Sequence, residues 1–317
     1  MMKFKKSLVL VLSGWLVSIT LLAGDGVEVR PVAGENRVEI LINGKHFTSY
    51  HYNTQLRRQK PFFYPVFSPA GVKVNRDYPM KEGVAGESDD HPHHQSVFFG
   101  YGATNGADFW SNMNDEKIVH RAILSHSSGE VGTLQFLADW VTAQDELVAQ
   151  EQRRVRFGAA EGAFWMDHDI EVTALDNPVT FEDTKEGIFA IRLSDQLRED
   201  KGTGRYVNAY GVETSQAIWG KRSPWVAIRG EVDGQPVTVA IFDHPTTVHY
   251  PSYWHARGYG LFAVNPFGRK DYMEGYPELG YRLAPYESFH FRYRIVVYDG
   301  KVDQERLIND YLTFMEE

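Results

Sequence analysis

From Val27 to Tyr298 the chain alternates apolar and polar side chains with a period of two, segment after segment, and one stretch near residue 310 carries helical spacing. That pattern limits the fold more than any other feature. A strand sends successive side chains to opposite faces, so each segment needs a partner sheet to cover its apolar face. Val27–Val32 and Arg37–Ile42 alternate, and Asn43-Gly44 then marks a tight hairpin into His46–Tyr52. Pro61–Phe67 is an aromatic run between prolines, the mark of an edge or irregular strand. Lys117–Leu124, Gly132–Val141, Leu147–Phe157 and Ala163–Val172 follow, the last two joined by a turn across Gly158–Gly162. Ala217–Val226, Pro236–His244 and Ser288–Tyr298 resume the strands, while Lys201–Tyr210 and the Gly-rich, aromatic Tyr250–Lys270 read as loops. Only Asp303–Met315 reads as a helix, with Leu307, Ile308, Tyr311, Leu312 and Met315 on one face. The expected fold is all-β: two large antiparallel sheets in one domain over residues 25–317, with a short C-terminal helix packed on it.

The N-terminus reads differently. Met1–Lys6 is short and basic and Leu8–Ala23 is apolar, the n-region and h-region of a secretory signal spanning residues 1–24. The expectation is an exported protein, periplasmic or extracellular, with no membrane span in the mature chain. Zero cysteines exclude disulfides and thiol chemistry. A net charge of −9, with no basic cluster beyond the first residues, argues against nucleic acid as a partner. Seventeen Tyr and seven Trp suit surfaces that pack on the apolar faces of sugar rings, although a large β core also consumes aromatics.

The densest chemistry lies in Asp89-Asp90-His91-Pro92-His93-His94, just before the apolar run Val97–Tyr101. On an extended backbone His91 and His93 share a face and His94 points away, unless Pro92 turns the chain. Two readings follow. His91 and His93 could ligate a divalent metal completed by Asp243, His244 or His255, although no helical His-x-x-x-His spacing supports one and no cofactor is predicted. Alternatively, imidazoles act as acid/base groups on a sugar, since histidine titrates near neutrality. Glu186, ahead of the apolar strand ending in Arg192, is the carboxylate of choice for that chemistry. Trp254-His255-Ala256-Arg257 combines a stacking face, an acid/base group and a forked donor. The competing reading of Asp90-His91 and Asp243-His244 is that they cap loop corners.

These blocks resemble a family. Asp90–His94, Asn105-Gly106-x-Asp108-Phe109-Trp110, Glu186–Arg192, Trp219–Arg222, Asp243–Pro245 and Trp254–Gly268 match, in order, the signature of uncharacterised, mostly secreted bacterial proteins labelled "methane oxygenase PmoA". That label implies a membrane-embedded copper subunit, and no second apolar segment near twenty residues follows the signal. Gln95 stands where most relatives carry a basic residue. The resemblance implies a galactose-mutarotase-like supersandwich with a sugar-binding concave face. The expected function is a carbohydrate-active enzyme of hydrolase, lyase or epimerase type acting on a glycoside or sugar derivative. His93, His255 and Glu186 would be catalytic, and His91, Arg192, Asp243, His244, Trp254, Arg257 and Asn265 would bind substrate. The alternatives are a non-catalytic glycan-binding protein and a His-liganded metal enzyme.

Overall fold

The computed structural model describes residues 26–317, so the expected signal segment lies outside the described residues. Two eight-stranded antiparallel sheets face each other. Across the first run Val27–Pro31, Arg37–Ile42, Lys45–His51, Phe62–Val66, Val97–Tyr101, Gly187–Arg192, Leu261–Asn265 and Tyr253–Ala256. Across the second run Arg205–Asn208, Trp225–Val232, Gln235–Asp243, Ser288–Asp299, Ala163–Ala174, Leu147–Ala160, Gly132–Val141 and Lys117–Ser127. The two expected sheets are therefore present. No helix of the described residues is long and apolar enough to cross a membrane.

The alternation sets what each face does. In the first sheet Val97, Phe99, Tyr101, Phe189, Ile191, Phe262 and Val264 point inward and join Trp140, Phe136, Ile170 and Phe291 of the second in one buried core. Their neighbours Phe98, Ala190, Leu261 and Ala263 point outward and form a smaller cluster with Phe62 and Trp110. This outer cluster buries a surface that would otherwise be wet, and the strands beneath it read as continuously apolar for that reason.

Local expectations met the structure unevenly. The Asn43-Gly44 hairpin forms with φ of 50° and 74° at its two turn residues, the paired positive values a type I′ turn needs. The long hairpin closes more tightly than expected: Ala160 pairs Ala163, so only Glu161-Gly162 turns. Ala217 and Ile218, expected to open a strand, belong instead to the helical turn Ser215–Ile218, with Thr214 as its cap. The two segments read as loops contain strands Arg205–Asn208, Tyr253–Ala256 and Leu261–Asn265. The final helix, Gln304–Glu316, is capped by the Asp303 side chain and buries Leu307, Tyr311 and Phe314 against the outer face of the second sheet. Ile308 and Leu312, expected on its buried face, stay exposed because Phe314 rotates the contact stripe away from them.

Candidate functional site

A row across four neighbouring strands sets the site. Phe98 pairs Ala190, Ala190 pairs Ala263, and Ala263 pairs His255, so all four share the outer face of the first sheet. Just before the Phe98 strand lie His91, His93 and His94; just after it lie Asp108, Trp110 and Ser111. Glu186 precedes the second strand, and Arg257 and Tyr259 lie in the turn joining the other two. These ten side chains, from four separate stretches of chain, line one cavity of about 230 Å³. That is below the roughly 300–1,000 Å³ of drug-sized sites, and its lining is mostly polar.

Backbone proximity brings the walls together, and two glycines permit it. A Cβ on Gly100 would sit 2.3 Å from the Phe109 carbonyl oxygen, a backbone atom with no freedom to yield. A Cβ on Gly102 would sit 2.7 Å from Glu186 Cβ and 3.6 Å from Asp108 Oδ1, so the two carboxylate residues lie side by side only because nothing stands between them.

The histidine wall departs from the extended backbone assumed from sequence. His91 (φ 47°) and Ser96 (φ 56°) turn the chain, and His94 faces the same cavity as its neighbours. Ring centroids are 4.8 Å apart for His91 and His94 and 4.3 Å for His93 and His94, and His91 stacks on Tyr259 at 5.1 Å. Behind this wall Asp90 Oδ1 accepts hydrogen bonds from Arg76 Nη1 at 2.7 Å and Arg192 Nη2 at 2.8 Å, and lies 3.0 Å from His91 Nδ1.

Arg192 therefore does not reach the cavity as a ligand-binding group. It is fully buried, its guanidinium packs on Tyr259, and its Nη1 donates to His94 Nδ1 at 3.1 Å. An arginine only donates, so His94 Nδ1 is an acceptor and the proton of the neutral ring sits on Nε2. Burial, reinforced by the neighbouring His93 and Arg192, holds the His94 pKa well below its usual value. Burial, with Lys60 and His91 nearby, lowers His93 to about 2.

His255 is the mirror case. Its Nδ1 lies 3.0 Å from the Lys185 carbonyl oxygen, which can only accept, so the proton is on Nδ1. Its Nε2 is then a lone-pair acceptor, buried and without a partner. Burial, then the charges of Arg257 and Lys185, lower its pKa to about 3, so it is neutral at ordinary pH. Two other orphaned groups belong to the same walls: the Trp110 indole N–H and Arg257 Nε. Glu186 is paired with Lys185 at 2.7 Å and is partly exposed. Asp108 Oδ1 accepts from the backbone N–H of Trp110 at 3.0 Å and of Ser111 at 2.8 Å, and Oδ2 accepts from the Ser111 hydroxyl. Its oxygens thus anchor the turn that presents Trp110.

Four more residues expected to bind substrate sit, like Arg192, outside the cavity. Trp254 precedes His255 on the same strand, so alternation sends it inward, where its fully buried indole donates to the Ser223 carbonyl at 2.9 Å. Asn265 spends its amide pinning a loop: Oδ1 accepts from Phe267 N and Nδ2 donates to the Thr184 carbonyl. Asp243 ends a strand of the second sheet, fully buried, where it accepts from Ser252 N at 2.7 Å and burial raises its pKa to about 7. His244 caps a corner, with Nδ1 2.8 Å from Thr246 Oγ1 and Nε2 3.1 Å from Arg292 Nη1. Neither joins the histidine wall, and among the described residues no three His, Asp or Glu side chains are placed to hold a metal ion. Trp110, Asp108, Ser111 and Tyr259 were not singled out as site residues. Asp108, Trp110 and Tyr259 stand within the matched blocks, and the Asp108-x-x-Ser111 spacing, a side chain capping its own turn, is the local signal for Ser111.

Comparison with solved structures gives distant resemblances. An alpha-galactosidase from Lactobacillus brevis aligns at 10% identity and a TM-score of 0.40, over 81% of this chain and 39% of that one. A galactose mutarotase-like protein from Clostridium acetobutylicum aligns at 9% identity and 0.37, over 86% and 98%. A glycoside hydrolase family 97 enzyme from Pseudoalteromonas sp. strain K8, in complex with acarbose, aligns at 9% and 0.32, over 85% and 34%. The chain thus spans little more than a third of two of these. No curated protein matches the sequence. A family model matches residues 37–311, and its description carries no oxygenase label: the chain belongs to DUF6807, a family of unknown function.

Proposed function

We propose that this is an exported carbohydrate-active protein, an enzyme that binds one sugar unit in the His91–Tyr259 cavity and moves a proton on it. The observation that carries the proposal is His255 Nε2, a buried acceptor with no partner, held in that state by its Nδ1–H hydrogen bond and lining a polar cavity. An unpaired buried acceptor costs free energy unless a donor completes it, and perturbed, clustered titratable groups are characteristic of functional sites. Four groups divide the work. His255 Nε2 accepts from a sugar hydroxyl, the Nε2–H of His94 and the Trp110 indole N–H donate, and Glu186 is the base. His255 is too weakly basic to store a proton, whereas Glu186 combines a carboxylate with an open edge. His93 shapes the wall between them. Whether the sugar is cleaved, eliminated or epimerised depends on which bond lies opposite Glu186.

The test is NMR in deuterated buffer of the purified protein with a panel of reducing sugars and glycosides. Deuterium entering a C–H bond, accelerated anomer exchange or bond cleavage, abolished in Glu186→Gln and at least tenfold slower in His255→Ala, supports the proposal. Sugar binding with none of these changes assigns the protein as a non-catalytic glycan binder.

A further inference from the structure

Arg257 lines a second cavity. It bounds a pocket of about 250 Å³ together with Ser215, Gln216, Trp219, Ala256 and Gly258. The two cavities share Arg257 and are otherwise built from different residues.

The charge of Arg257 is unanswered. Glu186 is taken by Lys185 and Asp108 by its own turn, and no carboxylate lies within salt-bridge distance of Arg257 among the described residues. Its guanidinium rests on the Trp219 ring, 5.1 Å from the centroid, which fixes its plane without neutralising it. Its Nε has no hydrogen-bond partner, and the same holds for the buried indole N–H of Trp219 beside it. Each pocket therefore carries an unpaired indole donor, Trp110 in the first and Trp219 in the second, with one unpaired cation shared between them.

We infer that the ligand is at least two sugar units long and acidic. One unit occupies the His91–Tyr259 cavity, the second lies against Trp219, and Arg257 binds a carboxylate carried next to the linkage, as in a uronic acid disaccharide. This rests on the reading of the first cavity as a sugar site. A planar guanidinium fork matches a carboxylate in two parallel hydrogen bonds, which an ammonium cannot do. Hydrogen bonds to a charged group of this kind correspond to about a 10- to 100-fold gain in affinity.

Calorimetric titration of the purified full chain with galactose, galacturonate and the α-1,4-linked dimer of each tests it. The acidic dimer is expected to bind about 10- to 100-fold more tightly than the neutral dimer, and at least about tenfold more tightly than galacturonate. Arg257→Met should bring the two dimers within about twofold of each other, and Trp219→Leu should bring the acidic dimer to the level of its monomer. Thermal unfolding checks that both variants are folded, and the four-sugar comparison on the unaltered chain needs neither. Equal affinity of acidic and neutral dimers, or of dimer and monomer, overturns the inference while leaving the single-sugar reading intact. Binding of none of the four overturns both.

Discussion

Asp90→Asn tests the support behind the histidine wall. Asp90 Oδ1 holds two guanidiniums whose side chains are fully buried, Arg76 and Arg192, while Asp90 itself is 43% exposed. Removing one partner of a buried ion pair costs about 3–5 kcal/mol because a charge is left unanswered. Here water reaches the carboxylate, and Arg76 keeps bonds to Ser88 Oγ and to the Asp90 and His91 carbonyls. We therefore expect about 2 kcal/mol, a fall in melting temperature of roughly 3–4 °C. The pH dependence adds a second check. Burial works to raise the Asp90 carboxyl, but the hydrogen bond with His91, the charge of Arg192 and the hydrogen bond from Arg76 hold it at about 2, against 3.8 when free. A pKa lowered by folding means the unfolded chain takes up the proton first. The stabilisation is thus complete above pH 3.8 and is lost as pH falls toward 2. Urea unfolding of both proteins at pH 7, 4 and 3 measures this, and the gap should narrow at pH 3. A variant within about 0.5 kcal/mol of wild type at pH 7, or a gap just as wide at pH 3, would refute the clamp.

The remaining expectations concern the cavity. Gly102→Ala places a methyl 2.7 Å from Glu186 Cβ, which should cost about 1–3 kcal/mol of stability and weaken the sugar binding proposed for this cavity; a wild-type melt counts against the packing described. Buried, neutral His255 protonates near pH 3 when folded and near 6.5 when unfolded, so stability should fall as pH drops between these values. His255→Gln should flatten that slope by about 1.4 kcal/mol per pH unit in urea titrations, and an unchanged slope would show the ring is already charged. Burial lowers the Lys60 pKa to about 7, against 10.5 when free, so between those values the unfolded chain holds more protons and wild-type stability should rise with pH. Lys60→Met should lose that rise, and parallel curves from pH 7 to 9.5 would contradict it.

The sequence by itself determined the architecture and the raw material of the site. Period-two alternation needs no tertiary information, because each strand reports its own two faces, and the Asn43-Gly44 turn is a local matter of backbone dihedral angles. The crowd at His91–His94, the carboxylate at Glu186 and the pair His255 and Arg257 were legible for the same reason: chemistry-bearing side chains stand out against apolar strands. What each one faces was not legible. Trp254 and His255 are adjacent in sequence and part company only because strand pairing turns one into the core and the other outward. Arg192 had the composition of a ligand-binding group, yet strand pairing places it under Tyr259 as the clamp that sets the His94 tautomer. Asp243-His244 repeats the Asp90-His91 pair, but the second sheet carries it to a different corner. Residue types fix which protons can move; only the register of four strands brings His94, Glu186, His255 and Arg257 around one cavity, because that convergence depends on contacts between segments up to 168 positions apart, from His91 to Tyr259.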